Sequence, residues 1–268
     1  MEQRVRIYCK NTGQYVDVAC GTSLRELYDT LGISLPFPVL AARVNYKVQS
    51  LNFVLYKPKD IEFIDGSSES GRRCYVRSLS MLAACAVNEL WPGCDLRLEH
   101  PISNGYYCTI RDTEGNVVAM CEDKIEALKT KMAAIVREDR AIVTEERQTK
   151  EVIGLFSSRT AGETTLFETL GNPYCRYYRM GDYIDYYTGA LVPSTGSLTV
   201  YDVVSYHDNI LLRIPSRENP KELAPMCVED KRFDIFKEYV GWNKLLHVSN
   251  VGEFNSACKS QKSFEMIK

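Results

Sequence analysis

Arg77 and Met81 stand four residues apart in the run Tyr75 to Leu90, where Leu79, Leu82, Ala83, Ala86, Val87 and Leu90 recur at helical spacing. Side chains four apart share one face of a helix, so both residues point the same way. Further along, Tyr183-Ile184-Asp185-Tyr186-Tyr187-Thr188-Gly189-Ala190-Leu191-Val192-Pro193 offers one carboxylate, Asp185, among phenols and aliphatic groups. Just upstream, Tyr174-Cys175-Arg176-Tyr177-Tyr178-Arg179 interleaves arginine with tyrosine. A guanidinium holds a carboxylate or phosphate in a two-pronged fork, and arginine beside tyrosine can stack a nucleobase. Ester hydrolysis instead needs a positioned water and a group that takes up its proton near neutral pH. Methionine and leucine have no such group, a guanidinium does not give up its proton, and a phenol ordinarily titrates near ~10. Among these residues only Asp185 could take up that proton. A plainer role for the tyrosines stays open: pairing across the strands of a half-buried sheet.

Several elements must position these groups. The helix Tyr75 to Leu90 is followed by strands at Leu96 to Leu98 and Tyr106 to Ile110. A second helix spans about Glu122 to Arg140, with Ile125, Leu128, Met132, Ile135 and Val136 inward and Lys124, Lys129, Lys131 and Arg137 outward. Lys124, Lys129 and Lys131, with Arg176 and Arg179, are the candidate contacts for nucleic acid; the alternative is a solvated charged face. Ahead of this region, Arg4 to Tyr8 and Gln14 to Val18 alternate as paired strands around Asn11-Thr12-Gly13. Ser23 and Glu26 form a capping box for a helix carrying Leu24, Leu27, Tyr28 and Leu31, and Gly32 suits its left-handed end. Strands at Val39 to Val44 and Asp60 to Ile64 complete a small β-grasp over residues 1–65. Gly66-Ser67-Ser68-Glu69-Ser70-Gly71 reads as a linker over 66–72. Its Gly-x-x-x-x-Gly spacing lacks the Lys and Ser or Thr of a phosphate loop, since Arg72-Arg73 follows. After Pro215 the composition turns polar, and residues 226–268 read as a helical tail that leads to a further domain absent from this chain, with Phe264 to Lys268 entering another helix.

A length of 268 residues with 45% hydrophobic and 25% charged residues fits a globular protein of two domains. A net charge of -2 argues against binding nucleic acid through the field of the whole molecule, so any such contact needs a local patch. Ten cysteines without Cys-x-x-Cys, and no leader or membrane-length apolar run, predict reduced thiols in a cytoplasmic protein with no membrane association. His100, His207 and His247 make no ligand-spaced pair with one another or with cysteine, so no metal site is expected.

Val76-Arg77-Ser78-Leu79-Ser80-Met81, then Leu90-Trp91-Pro92 and Asn104-Gly105-Tyr106-Tyr107, resembles the editing region of threonyl-tRNA synthetases. In that family the helix carries His-x-x-x-His, here replaced by Arg77 and Met81. The family's Tyr-Val-Asp-x-Cys-x-Gly-x-His-x-Pro aligns with residues 183–193, keeping Asp185, Gly189 and Pro193 but placing Tyr187 at the cysteine and Leu191 at the second-motif histidine. The resemblance implies a degenerate pocket at Arg77, Met81, Asp185, Tyr187 and Leu191, and removes the ligands that related alanyl-type editing proteins use for zinc. Over 1–65, Cys20-Gly21-Thr22 and Ala41-Ala42-Arg43-Val44-Asn45 resemble a TGS domain. The implied class is α+β: a TGS-like, ubiquitin-like β-grasp, then a threonyl/alanyl-tRNA synthetase editing-like domain over 73–225.

That pairing, with Gly171-Asn172-Pro173-Tyr174 and the tail, resembles the N-terminal half of bacterial uridine kinase-type proteins. The resemblance implies a non-catalytic regulatory or ligand-binding module, without a cofactor of its own, partnered by an ATP-dependent nucleoside kinase domain. The alternative is a tRNA-binding or divergent aminoacyl-tRNA editing protein. Expected ligands are accordingly tRNA or a small anion.

Overall fold

A computed structural model describes residues 3–157, 161–245 and 250–260. Among these described residues it is a mixed α+β structure with three sheets. The elements begin with β1 (Arg4–Cys9), β2 (Gln14–Ala19), α1 (Leu24–Leu31), β3 (Val39–Val44), β4 (Lys47–Gln49) and β5 (Asp60–Asp65). Their strands form one sheet in the order β2-β1-β5-β3-β4, with β1 and β5 parallel and the other pairs antiparallel. Asn11 does more than turn the first hairpin: its side chain accepts from Phe63 N at 2.7 Å and donates to Phe63 O at 3.1 Å, tying the turn to β5. The α1 capping box is formed as the sequence predicts, and Gly32 ends the helix at φ 57°. Leu24 and Leu27 are fully buried against Ile7, Leu51, Leu55, Ile61 and Phe63. Asn45 and Tyr46 both take positive φ between β3 and β4, the conformation a two-residue hairpin turn needs, and Asn45 Oδ1 accepts from Asp60 N at 2.9 Å.

The linker expected over 66–72 is instead a short turn and the start of a long helix, α2 (Glu69–Leu90). Ser68 caps it by accepting from Gly71 N, while Asp65 Oδ1 accepts from Ser67 N and Ser67 Oγ. Serines flanking a glycine suggest flexibility; here Ser68 satisfies an open donor of the helix start, while Ser67 donates to Asp65. Gly71 packs so tightly on β5 that an added Cβ would lie 1.8 Å from Asp65 O.

The chain continues through β6 (Asp95–Ile102), β7 (Gly105–Arg111), α3 (Glu122–Glu138), β8 (Val143–Gln148), α4 (Thr149–Phe156), α5 (Ala161–Leu170), β9 (Tyr174–Met180) and β10 (Tyr183–Asp185). Next come β11 (Asp202–Tyr206), β12 (Asn209–Arg213), α6 (Asp230–Leu245) and α7 (Val251–Lys259). One antiparallel sheet runs β11-β12-β7-β6 and another β10-β9-β8. α2 lies at the centre of the larger core, with Leu79, Met81, Leu82, Cys85, Ala86 and Val87 at zero or near-zero exposure against Leu128, Met132 and Ile135 of α3. Leu40, Ala41 and Ile64 from the first sheet join the same core, so the two regions share apolar packing. The α6–α7 segment also packs back onto the body: Phe233 is buried against Tyr107 and Tyr206, and Asn255 reaches Thr169 of α5. The helix expected at Phe264 to Lys268 lies outside the described residues. Among the described residues no helix is long and apolar enough to cross a membrane.

Candidate functional site

α2 and the segment after β10 form the site. Ser78, fully buried, donates to Cys74 O at 2.8 Å and accepts from Val192 N at 2.9 Å, clamping the 190–193 backbone onto the helix. That clamp brings the two motifs together. Arg77 Nη1 donates to Ala190 O at 3.2 Å, and Tyr178 OH donates to Gly189 O at 2.6 Å.

The predicted pocket positions divide into two groups. Met81 and Leu191 are both at 0% exposure inside the main apolar core, so neither faces a cavity. Asp185 is buried at the end of β10, where its carboxylate accepts from Tyr183 OH at 3.2 Å, Tyr187 OH at 2.9 Å and Tyr186 N at 2.7 Å. A carboxylate holding three donors is poorly placed to abstract a proton from water. Arg77 and Tyr187 stay half-buried. Burial lifts Tyr178 above the ordinary phenol range, leaving it a hydrogen-bond donor near neutrality.

Beside this closed frame lies a cleft of 570 Å³ between the first sheet and the second region. Lys47, Asn52, Arg176, Tyr178, Tyr187 and Gly189 are among its walls. Asn52 Nδ2 donates across it to Ile142 O at 3.5 Å. The wall contributed by β4 and the loop after it has no separate signal in the sequence, since only the fold carries Lys47 and Asn52 to the Tyr187 segment.

The five cations expected to meet nucleic acid do not form one surface. α3 packs on α2 and β11, whereas Arg176 and Arg179 lie on β9 in the small sheet. Lys129 pairs with Glu126 at 3.0 Å and Asp202 at 3.4 Å, and Lys131 pairs with Glu89 at 2.6 Å. Lys124 donates to Ala119 O at 3.0 Å. Arg179 binds Glu145 at 2.5 Å and Arg176 binds Glu146 at 3.3 Å. Of these five, Arg176 alone lines the cleft. The tyrosines largely take the plainer role: Tyr177, Tyr178 and Tyr183 are buried in the β8-β9-β10 sheet, while Tyr174 is exposed.

Among the described residues no three His, Cys, Asp or Glu side chains converge as a metal-binding group. His100 stacks on Phe236 at 5.0 Å and His207 on Phe233 at 3.8 Å, while His247 lies outside the described residues.

No protein-family model matches the chain. Its sequence is similar to threonine–tRNA ligases over most of its length. That of Rubrobacter xylanophilus is 26% identical over 193 residues, covering 72% of this chain and 29% of the ligase. That of Syntrophomonas wolfei is 29% identical over 187 residues, covering 69% and 29%. That of Clostridium kluyveri is 27% identical over 203 residues, covering 75% and 31%. The chain therefore spans under a third of the length of these relatives. A threonyl-tRNA synthetase-like region on a mixed α+β fold is what fold and similarity together define.

Proposed function

We propose that this chain is a catalytically silent, editing-like module that holds the acceptor end of a tRNA, or an anionic fragment resembling it, without cleaving it. One observation carries the reading: the positions where the resemblance places reactive side chains are packed shut by Met81 and Leu191, yet the adjoining cleft stays open and carries Lys47 and Arg176. The strand order and capped helix of residues 3–65 support a TGS-like β-grasp there, followed by an editing-like region over 73–225. The similarity to tRNA ligases supports tRNA handling ahead of a place in a uridine kinase-type protein, whose only support is resemblance in the sequence. Gathering only two cations, the cleft fits one or two phosphates of a chain terminus and not a long duplex contact.

Direct binding of uncharged tRNA at several salt concentrations tests this. We expect measurable affinity that falls with salt with a slope of roughly one to two phosphates, at ~0.7–0.9 per contact. Lys47→Glu and Arg176→Glu are expected to weaken binding and flatten the slope. Absence of salt-dependent binding, or indifference to both substitutions, would refute the proposal.

A further inference from the structure

Arg72 and Arg217 form a second cationic centre that lines neither wall of the cleft above. Arg72 sits in the first turns of α2 with its Nε buried and without a hydrogen-bond partner. The neighbouring carboxylates bind other partners, Glu229 doing so within the polar cavity itself, where Arg232 also lies. Glu69 binds Arg73 at 3.1 Å, and Glu229 accepts from Arg232 at 2.8 Å and from Ser103 N at 2.9 Å. Among the described residues neither Arg72 nor Arg217 forms an ion pair. Burial, and next the charge of Arg217, hold Arg72 below the usual guanidinium range, with Glu69 offsetting part of the effect; both arginines line the same polar cavity.

Two cavities meet at Arg72. One, of 270 Å³, is polar and includes Arg72, Asn104, Tyr106 and Arg217. The other, of 280 Å³, is mostly apolar and includes Phe37, Leu40, Tyr75, Pro215, Lys221 and again Arg72. Lys221 Nζ lies 5.6 Å from the Phe37 ring, which puts a third cation at the apolar mouth. Arg72 is only partly buried, but its Nε is shut off from solvent without an acceptor, and a ligand bound in the adjoining cavities could supply one. A carboxylate would leave most of this positive charge unmatched. A phosphate monoester, at ~-1.5 to -2 near neutrality, offers three acceptor oxygens and matches two arginines.

We propose that these two cavities are one binding site for a small organic phosphate, with the phosphoryl group between Arg72 and Arg217 and a flat apolar body against Phe37, Tyr75 and Pro215. Neither the degenerate pocket positions Arg77, Met81, Asp185, Tyr187 and Leu191 nor the cleft beside Tyr187 takes part in this site.

The experiment is calorimetric titration of the chain with phenyl phosphate, inorganic phosphate and phenol. Phenyl phosphate is expected to bind at least tenfold tighter than either half alone. Arg217 is exposed, so Arg217→Ala should fold as the parent does and bind phenyl phosphate at least tenfold more weakly. Its tRNA affinity should stay unchanged, which separates this site from the cleft. Absence of saturable phenyl phosphate binding would overturn the proposal, and so would parental affinity in Arg217→Ala. Inorganic phosphate binding as tightly as phenyl phosphate would equally overturn it, because the apolar cavity would then contribute nothing.

Discussion

The Arg77 guanidinium donates to the Ala190 carbonyl at 3.2 Å and lies against Gly189, where an added Cβ would come within 2.7 Å of its Cζ. Side chain and glycine interlock, so the helix face that carries Arg77 is closed by backbone rather than left open to solvent. A histidine pair on this face would need the same space to hold a water. The pocket is therefore filled from both sides: Arg77 at its rim, Met81 and Leu191 at its base.

Putting a histidine back at the base is expected to cost stability instead of restoring chemistry. Met81 is wholly buried among apolar side chains, and an imidazole there has no partner for its ring nitrogens. Met81→His should lower unfolding free energy by ~2–4 kcal/mol, read from the urea midpoint. A change below ~0.5 kcal/mol would mean the position opens onto water or a hidden acceptor.

Gly71 is predicted to be more sensitive than its place in a Gly/Ser-rich run suggests. An alanine Cβ would lie 1.8 Å from the Asp65 carbonyl, a backbone atom that cannot swing away. Gly71→Ala should destabilise by ~3 kcal/mol or prevent folding, whereas Gly115→Ala, with open space around its Cβ, should cost only the strain of its φ of 84°. Thermal melts of the two variants compare them directly.

Acid should weaken the fold through two carboxylates. The hydrogen bond from Arg140 holds Glu89 at about 2, and Arg179 followed by Tyr177 holds Glu145 at about 2. Both sit below the unfolded value near ~4.3, so their stabilisation is present above that pH and is lost as pH falls towards ~2. Both side chains keep partial solvent contact, which screens the pairs and holds each contribution to about 1 kcal/mol. Glu89→Gln should be less stable than the parent at pH 7 and indistinguishable from it at pH 2, by thermal midpoint. A constant difference at both pH values would show that the ion pair is not its source.

Thiol chemistry should divide the ten cysteines, all of which are free. Burial pushes the Cys74 and Cys85 thiols up to about 12 and raises Cys108 further. Cys121, Cys227 and Cys258 are exposed. A disulfide-exchange reagent at pH 8 should modify those three first, with the buried thiols reacting only in denaturant. Rapid labelling of Cys85 would contradict the packing of α2.

Much of this architecture is legible from local pattern. The α1 capping box and the apolar spacing of α2 and α3 each have a local physical cause, and each appears in the structure. What local pattern hides is tertiary. The Gly/Ser run holds its own cap, with Ser68 accepting from Gly71 N and Asp65 from Ser67 N, but that it opens a long helix rests on the burial of α2 in the core. α4 and α5 escape notice because their buried faces, Val152, Phe156 and Phe167, pack on one another and on Tyr177 instead of forming a long periodic stripe. The basic face of α3 looks available in sequence, but its lysines find Glu89, Glu126 and Asp202, two of them on other elements. That positions 81 and 191 carry apolar side chains is plain in the sequence. Their complete burial, and the cleft that Lys47 and Asn52 bring to Tyr187, required the fold.

The measurement that bears most directly on a silent editing-like site is hydrolysis of seryl-tRNA by the purified chain, followed as loss of the aminoacyl ester at pH 7.5. The account predicts a rate equal to spontaneous deacylation, with tRNA binding retained. Hydrolysis well above that background and abolished by Asp185→Asn would contradict it, and would show that the carboxylate held by Tyr183 and Tyr187 can still drive the reaction.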